Sequence, residues 1–269
     1  MNKITENINN SLLKIEQTAP VVHHITNFVT INDCANVSTA LGASPVMAYS
    51  HYECAQITEV SNALVLNTGT PDKMRFKAAV LSGKCANTNG IPIILDPVGA
   101  GAVAFRQNGI FDILKNVRPS VIKGNPAEIK TLAGLSNISN KCIDSAENQI
   151  DMEIVKELAA ELKTVIAVTG QKDIITDGLR TVSISRGTNM FTRISGAGCM
   201  ASSVIGAFLS VNKDPFNAAV QAIFLVDACG ENAAEISRGP ADFKVNFINA
   251  LYLFRNTGTD EGGIVFEQG

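Results

Sequence analysis

Five short runs in this chain are apolar almost from end to end: Ser44–Ala48, Ala63–Asn67, Ile91–Asp96, Ser120–Gly124 and Val165–Thr169. A strand with one face in water alternates apolar and polar residues, whereas a strand covered by helices on both faces is apolar throughout. The stretches at roughly 30–42, 71–90, 105–117, 126–135 and 149–163 carry helical patterns. Right-handed crossovers would stack those helices on both faces of one mostly parallel sheet, giving a three-layer α/β architecture. With 269 residues, 46% of them hydrophobic, the chain can bury a core of that size.

The pattern changes after Thr169. Asp173–Thr176 and Arg180–Ser185 flank Asp177-Gly178, a strong turn signal, and predict an antiparallel hairpin at a sheet edge. From Gly198 to about Arg255 the chain reads as helical, with Pro215 and Pro240 near helix starts. No linker, repeat or low-complexity tract interrupts it. A single domain over 1–269 is expected, with a frayed tail at Thr257–Gly263.

Composition narrows the function. A net charge of −3 provides no basic field for nucleic acid or anionic lipid, and without tryptophan a base-stacking surface is poor. The opening MNKITENINNSLLKIEQ lacks the apolar core of a signal peptide, and no apolar run is long enough to span a membrane. Cys34, Cys54, Cys85, Cys142, Cys199 and Cys229 form no CxxC pair and read as reduced thiols. A cytoplasmic protein is the expectation.

Chemistry concentrates where strands end. The run Arg193–Ser202 (RISGAGCMAS) is a glycine-rich turn entering a helix. Gly196 and Gly198 let backbone approach an anion, and the helix start beyond them offers unpaired N–H groups and a partial positive charge. Asp96 closes one strand, Lys123-Gly124-Asn125-Pro126-Ala127-Glu128 follows the next, and Thr169-Gly170 closes another. In open α/β sheets these carboxyl ends form the ligand crevice. A carboxylate, a cation, an Asn-x-x-Glu pair and a glycine turn on one edge suit Mg-nucleotide handling. Each residue also has a plainer use. Asp96 can shape a turn, Glu128 can complement a helix dipole, Thr169 can cap and Met47 can fill core. His23 and His24 are not spaced as paired zinc ligands on a helix.

The stretches IILDPVGAGA, IKGNPAEI, VIAVTGQKDIITDG and ISGAGCMASS, with His24-Ile25-Thr26-Asn27 and Ser44–Ala48 upstream, resemble the hydroxyethylthiazole kinases. These are thiamine-salvage enzymes of the ribokinase-like superfamily, and the resemblance spans about residues 20–250. It implies a ribokinase-like fold and ATP- and Mg²⁺-dependent phosphorylation of the hydroxyl of 4-methyl-5-(2-hydroxyethyl)thiazole. It also implies a homotrimer with active sites between subunits. By the same resemblance Met47, Gly196 and Asn27 contact the thiazole, while Lys123, Thr169 and Gly198 bind ATP. Asp96 and Glu128 organise the metal and its waters. Cys199 stands where sugar kinases of the superfamily carry a catalytic Asp, and is expected to act as a weak base or an alcohol-orienting group. Many members have Arg where this chain has Lys123, which turns a bidentate phosphate grip into a point charge. The alternatives are a kinase of a related alcohol (hydroxymethylpyrimidine or pyridoxal), a Cys199-nucleophile thiol enzyme, and a dinucleotide-binding oxidoreductase built on Gly99-x-Gly101.

Overall fold

The computed structural model describes residues 3–135, 150–257 and 262–267. The nine strands β1 (Val21–Ile25), β2 (Ser44–Met47), β3 (Ala63–Asn67), β4 (Ile93–Asp96), β5 (Val121–Gly124), β6 (Val165–Val168), β7 (Asp173–Thr176), β8 (Thr181–Ile184) and β9 (Ile264–Glu267) form one sheet in the order 2-1-3-4-5-6-7-8-9. The β2-to-β6 half is parallel. Strands β6 to β9 pair antiparallel, so the expected hairpin is present as β7–β8, but it does not form the sheet edge, because β9 pairs outside it. Two strands go beyond the sequence reading: β1, which carries His23 and His24, and β9, which follows the tail segment and pairs with β8. Of that tail, residues 258–261 lie outside the described residues, as does Cys142.

Helices α1 (Lys3–Thr18), α2 (Ile31–Ala40), α8 (Ala197–Leu209), α9 (Pro215–Ile236) and α10 (Pro240–Thr257) contribute to one apolar cluster. Helices α3 (Cys54–Glu59), α4 (Lys73–Asn89), α5 (Ala104–Asn116), α6 (Pro126–Leu135) and α7 (Met152–Leu162) contribute to the other. Alternate strand residues divide between the two: Ala63, Val65 and Ile94 join the first, Leu64, Leu66, Ile93 and Leu95 the second. That division is why these strands had to be apolar at successive positions. His23 and His24 are buried in β1 and use their rings locally, His23 on Thr58 Oγ1 and the Ala48 carbonyl, His24 on the Val22 carbonyl.

Helix α8 is the central positioning element. Its residues Cys199–Leu209 are all buried, against α2, α9 and the β3 and β4 strands. It lies so close to the sheet that a Cβ at Gly206 would stand 2.6 Å from Val65 Cγ2. The helix therefore points its N-terminus at the carboxyl edge of β3, β4 and β5.

Candidate active site

Two substructures meet at the first turn of α8. The first is a closed polar network. Asn27, just past β1, accepts the Val29 and Thr30 N–H groups on Oδ1 at 3.0 and 3.1 Å. That local turn fixes the amide, so Nδ2 donates to Asn67 Oδ1 at 3.0 Å and to Cys199 Sγ at 3.3 Å. Asn67 ends β3 and stands opposite Asp96 in the parallel register. Its Nδ2 donates to Asp96 Oδ2 at 2.8 Å and to Cys199 Sγ at 3.3 Å. Ser202, one turn into α8, donates to the same Asp96 oxygen at 2.7 Å. Lys123 Nζ lies 3.6 Å from Asp96 Oδ2 and donates to the Gly198 carbonyl at 3.0 Å.

The electrostatics follow from burial and pairing. Desolvation pushes the Lys123 ammonium toward neutrality, but Asp96, Cys199 and Glu128 outweigh it, and the net pKa is raised. The lysine is a buried cation paired with Asp96. Burial, then the Asp96 charge, raise the Cys199 thiol above its ordinary value despite donors from Thr30 and Asn27 and the Lys123 charge. Cys199 is thus a thiol at neutral pH, not a thiolate. A helix N-terminus alone would have lowered it.

The second substructure is an open cleft of about 780 Å³. Its lining includes Ala197 and Gly198 of α8, Thr169 and Gly170 after β6, and Asn125. Gly196 is the N-cap of α8 at φ +86°, a left-handed conformation in which side chains are strained, and Thr30 Cγ2 would lie 2.1 Å from a Cβ there. Gly196 has no side chain to cap the helix, so the N–H groups of Ala197, Gly198 and Cys199 have no intrahelical acceptor. The first intrahelical N–H bond of the helix runs from Met200 to the Gly196 carbonyl at 2.9 Å.

Glu128 sits at the base of α6, in a capping box with Asn125. Glu128 N–H donates to Asn125 Oδ1, and Asn125 N–H to Glu128 Oε2, each at 2.9 Å. Gly99 N–H donates to Glu128 Oε1 at 2.9 Å. Burial raises the Glu128 pKa, and these two backbone bonds only partly offset it. Among the described residues no group of three His, Cys, Asp or Glu side chains could hold a metal. Asp96 keeps Oδ1 out of the bonds above, and each Glu128 oxygen has a lone pair to spare. That donor set fits a hydrated Mg²⁺ held through water and phosphate oxygens, and does not fit a cage of protein ligands.

The sequence-predicted residues thus fall into groups. Asn27, Asp96, Lys123, Gly198 and Cys199 are brought together. Thr169 and Gly198 line the cleft, whereas Lys123 is buried behind the Gly198 carbonyl. Met47 ends the edge strand β2, half-buried and in register with His24. Asn67, Ser202 and Thr30 were missed; Asn67 carried a signal, as a polar residue ending an apolar strand. No histidine bonds to Cys199, so the geometry offers no base for a thiol nucleophile.

Residues 12–257 match the model of the hydroxyethylthiazole kinase family. The chain belongs to the hydroxyethylthiazole kinase family. It is 45% identical over 244 residues to a hydroxyethylthiazole kinase of Methanosarcina mazei, covering 90% of this chain and 93% of that one. The solved structure of the hydroxyethylthiazole kinase protein of Pyrococcus horikoshii covers 98% of this chain and all of its own, at TM-score 0.87 and 33% identity. A ribokinase-like superfamily protein of Enterococcus faecalis shares the fold at TM-score 0.69 and 13% identity, over 92% of this chain and 94% of that one. The three-layer fold of this family member is the ribokinase-like one.

Proposed function

We propose that this protein transfers the γ-phosphoryl group of ATP to the hydroxyl of 4-methyl-5-(2-hydroxyethyl)thiazole, a step of thiamine salvage. The observation that carries the reading is the uncapped start of α8: Ala197 and Gly198, whose N–H groups have no intrahelical acceptor, line the cleft on one side, and the Cys199 thiol on the same turn faces the amide network on the other. The triphosphate ends at those N–H groups and the alcohol lies beside Cys199. Phosphoryl transfer has a loose transition state, so alignment and charge neutralisation supply most of the rate.

In this reading Asn27, Met47 and Gly196 hold the thiazole. Asn27 and Asn67 fix the Cys199 sulfur, and the thiol orients the alcohol in line with the γ-phosphate. The N–H groups of Ala197 to Cys199 take up charge that develops on the transferred group. Thr169 and Gly198 contact the nucleotide's phosphates directly, and Lys123 contributes its charge through the Gly198 peptide. Asp96 and Glu128 would hold the waters of Mg²⁺, which would supply positive charge to offset that of the phosphates.

The assembly is proposed as a homotrimer in the cytoplasm. Phe28, Val29, Tyr49 and Tyr52 expose apolar surface beside Asn27 and Met47, as a site completed by a neighbouring subunit would. The free cysteines among the described residues suit a reducing compartment, and no described helix is long and apolar enough to cross a membrane. The deciding experiment is a coupled ADP-release assay over hydroxyethylthiazole, hydroxymethylpyrimidine and pyridoxal, with and without Mg²⁺. Hydroxyethylthiazole is expected to give the highest kcat/KM, in the presence of Mg²⁺ only. A preference for either other alcohol would overturn the substrate assignment.

A further inference from the structure

The cleft contains a pair of acids that the reaction above does not use. Asp173 opens β7 and Asp227 lies on the inner face of α9; both line the cleft, and they are 3% and 7% exposed. Gly170 N–H donates to Asp173 Oδ1 at 2.8 Å. Asp227 Oδ2 is buried and meets no N–H or O–H donor of the described residues unless the two carboxyls share a proton. Burial raises both acids, Asp173 to about 6 and Asp227 well beyond its ordinary value, and a hydrogen bond between them assigns the proton to Asp227. A proton held by the pair sits on Asp227, which leaves Asp173 the charged member of the two.

Position says what this charge could meet. Asp173 is tied to the Thr169-Gly170 turn, proposed above as a phosphate contact. Asp227 is one helical turn from Ile223, which with Val226 makes the other wall apolar, as a heterocyclic base requires. The group of a nucleotide that lies between its phosphates and its base is the sugar. A carboxylate there accepts the ribose hydroxyls, as acidic residues do in other nucleotide sites. A proton held by the pair limits its repulsion of the phosphates.

We propose that the Asp173–Asp227 pair, which joins the Thr169-Gly170 turn to the α9 wall of the cleft, is the element that recognises the ribose hydroxyls of the nucleotide. This rests on the cleft being the nucleotide site. The charged groups acting on the pair are Lys123 from β5, Arg186 after β8 and Glu231 one turn along α9.

The test is isothermal titration of the full-length protein, with Mg²⁺, against ATP, 2′,3′-dideoxy-ATP and inorganic tripolyphosphate. Wild type should bind ATP roughly ten- to a hundredfold more tightly than the dideoxy analogue, the range for hydrogen bonds to a charged group. In Asp173→Asn that ratio should fall to within about threefold, with tripolyphosphate affinity unchanged (an order-of-magnitude expectation from the same loss). Asp227→Asn, whose amide can donate as the protonated acid does, should keep the preference. In wild type the ratio should also shrink as pH falls below about 6, where Asp173 takes up a proton. That measurement needs no variant, and it stands if Asp173→Asn does not fold. An ATP preference that is absent in wild type, or one that survives both Asp173→Asn and acid pH, overturns the role of the pair and leaves the nucleotide site intact. If neither ATP nor tripolyphosphate binds wild type, the nucleotide reading fails and the pair falls with it.

Discussion

The two sides of the first α8 turn are built on opposite plans. On the thiol side Asn27, Asn67, Asp96, Lys123 and Ser202 satisfy one another within the chain, and all of them are buried. On the cleft side the uncapped N–H groups of Ala197 and Gly198 and a carboxyl pair face an open cavity. A network complete before substrate arrives holds the reacting geometry without reorganising, whereas an incomplete one converts its unmet groups into binding. Substitutions on the closed side should therefore reduce kcat and stability, and those on the open side nucleotide affinity.

Asp96→Asn is the strongest attempt to break that division. It removes the carboxylate that joins Asn67, Ser202 and Lys123, and kcat should fall by at least about a hundredfold, the scale of losing one preorganised electrostatic partner. The thiazole KM should move little in steady-state ADP release. A rise in that KM with kcat intact would refute the metal role. The same variant leaves Lys123 buried beside a neutral group and should melt at lower temperature.

Cys199→Ala sharpens the closed side. An orienting thiol is worth less than a poised base, so kcat should fall about tenfold, short of the 10²–10⁴-fold range for general-base catalysis. Cys199→Asp should retain or raise turnover. Since the thiol titrates above its usual range, wild-type kcat should stay level between about pH 7 and 8. A rise across that window, lost in Cys199→Ala, would restore the thiolate as base.

Gly196→Ala tests the joint between the two sides. A left-handed alanine costs about 1–2 kcal/mol, and the Thr30 methyl contact adds to it. Calorimetry should show Tm lowered by about 5 °C, on the scale of a few degrees per kcal/mol. Adding Thr30→Ser should recover part of the loss, because it removes the clashing methyl and leaves the backbone strain.

The smallest effect expected is stabilising. Asp173 and Asp227 both titrate higher in the folded chain than their ordinary values, so stability they support at acid pH is lost as pH rises, for Asp173 between about 4 and 6. Asp227→Asn removes one ionisation. Its Tm should exceed that of wild type by a few degrees at pH 8, and the gap should close toward pH 4. Equal melting curves at pH 8 would show that the pair carries no such penalty.

The parallel half of the fold was legible because strands covered on both faces cannot hide their pattern. Ala63–Asn67 was bounded to the residue, and Asp177-Gly178 announced the hairpin. β1 escaped because His23 and His24 break an apolar run; inside the fold His23 is held by Thr58 and the Ala48 carbonyl, and His24 by a carbonyl of its own strand. The short α3 and the edge strand β9 lack the length that gives a period its weight. In the site, residues at strand ends could be nominated one by one. Which of them touch was set by the register of β3 on β4 and the close seat of α8, and sequence spacing encodes neither. The chemistry of Cys199 was the hardest to foresee, since desolvation and the Asp96 charge overrule the helix terminus.

Helix α8 is sheathed in protein along its whole flank from Cys199 onward and meets solvent only at its mouth. Water and dissolved ions, which weaken the field of a surface helix from the side, can act on this one only end-on. Nor can a rod so tightly jacketed slide or tilt without tearing the core around it. Any adjustment that accompanies substrate binding is therefore expected in the connecting turns beyond β1, β6 and β8 and not in α8.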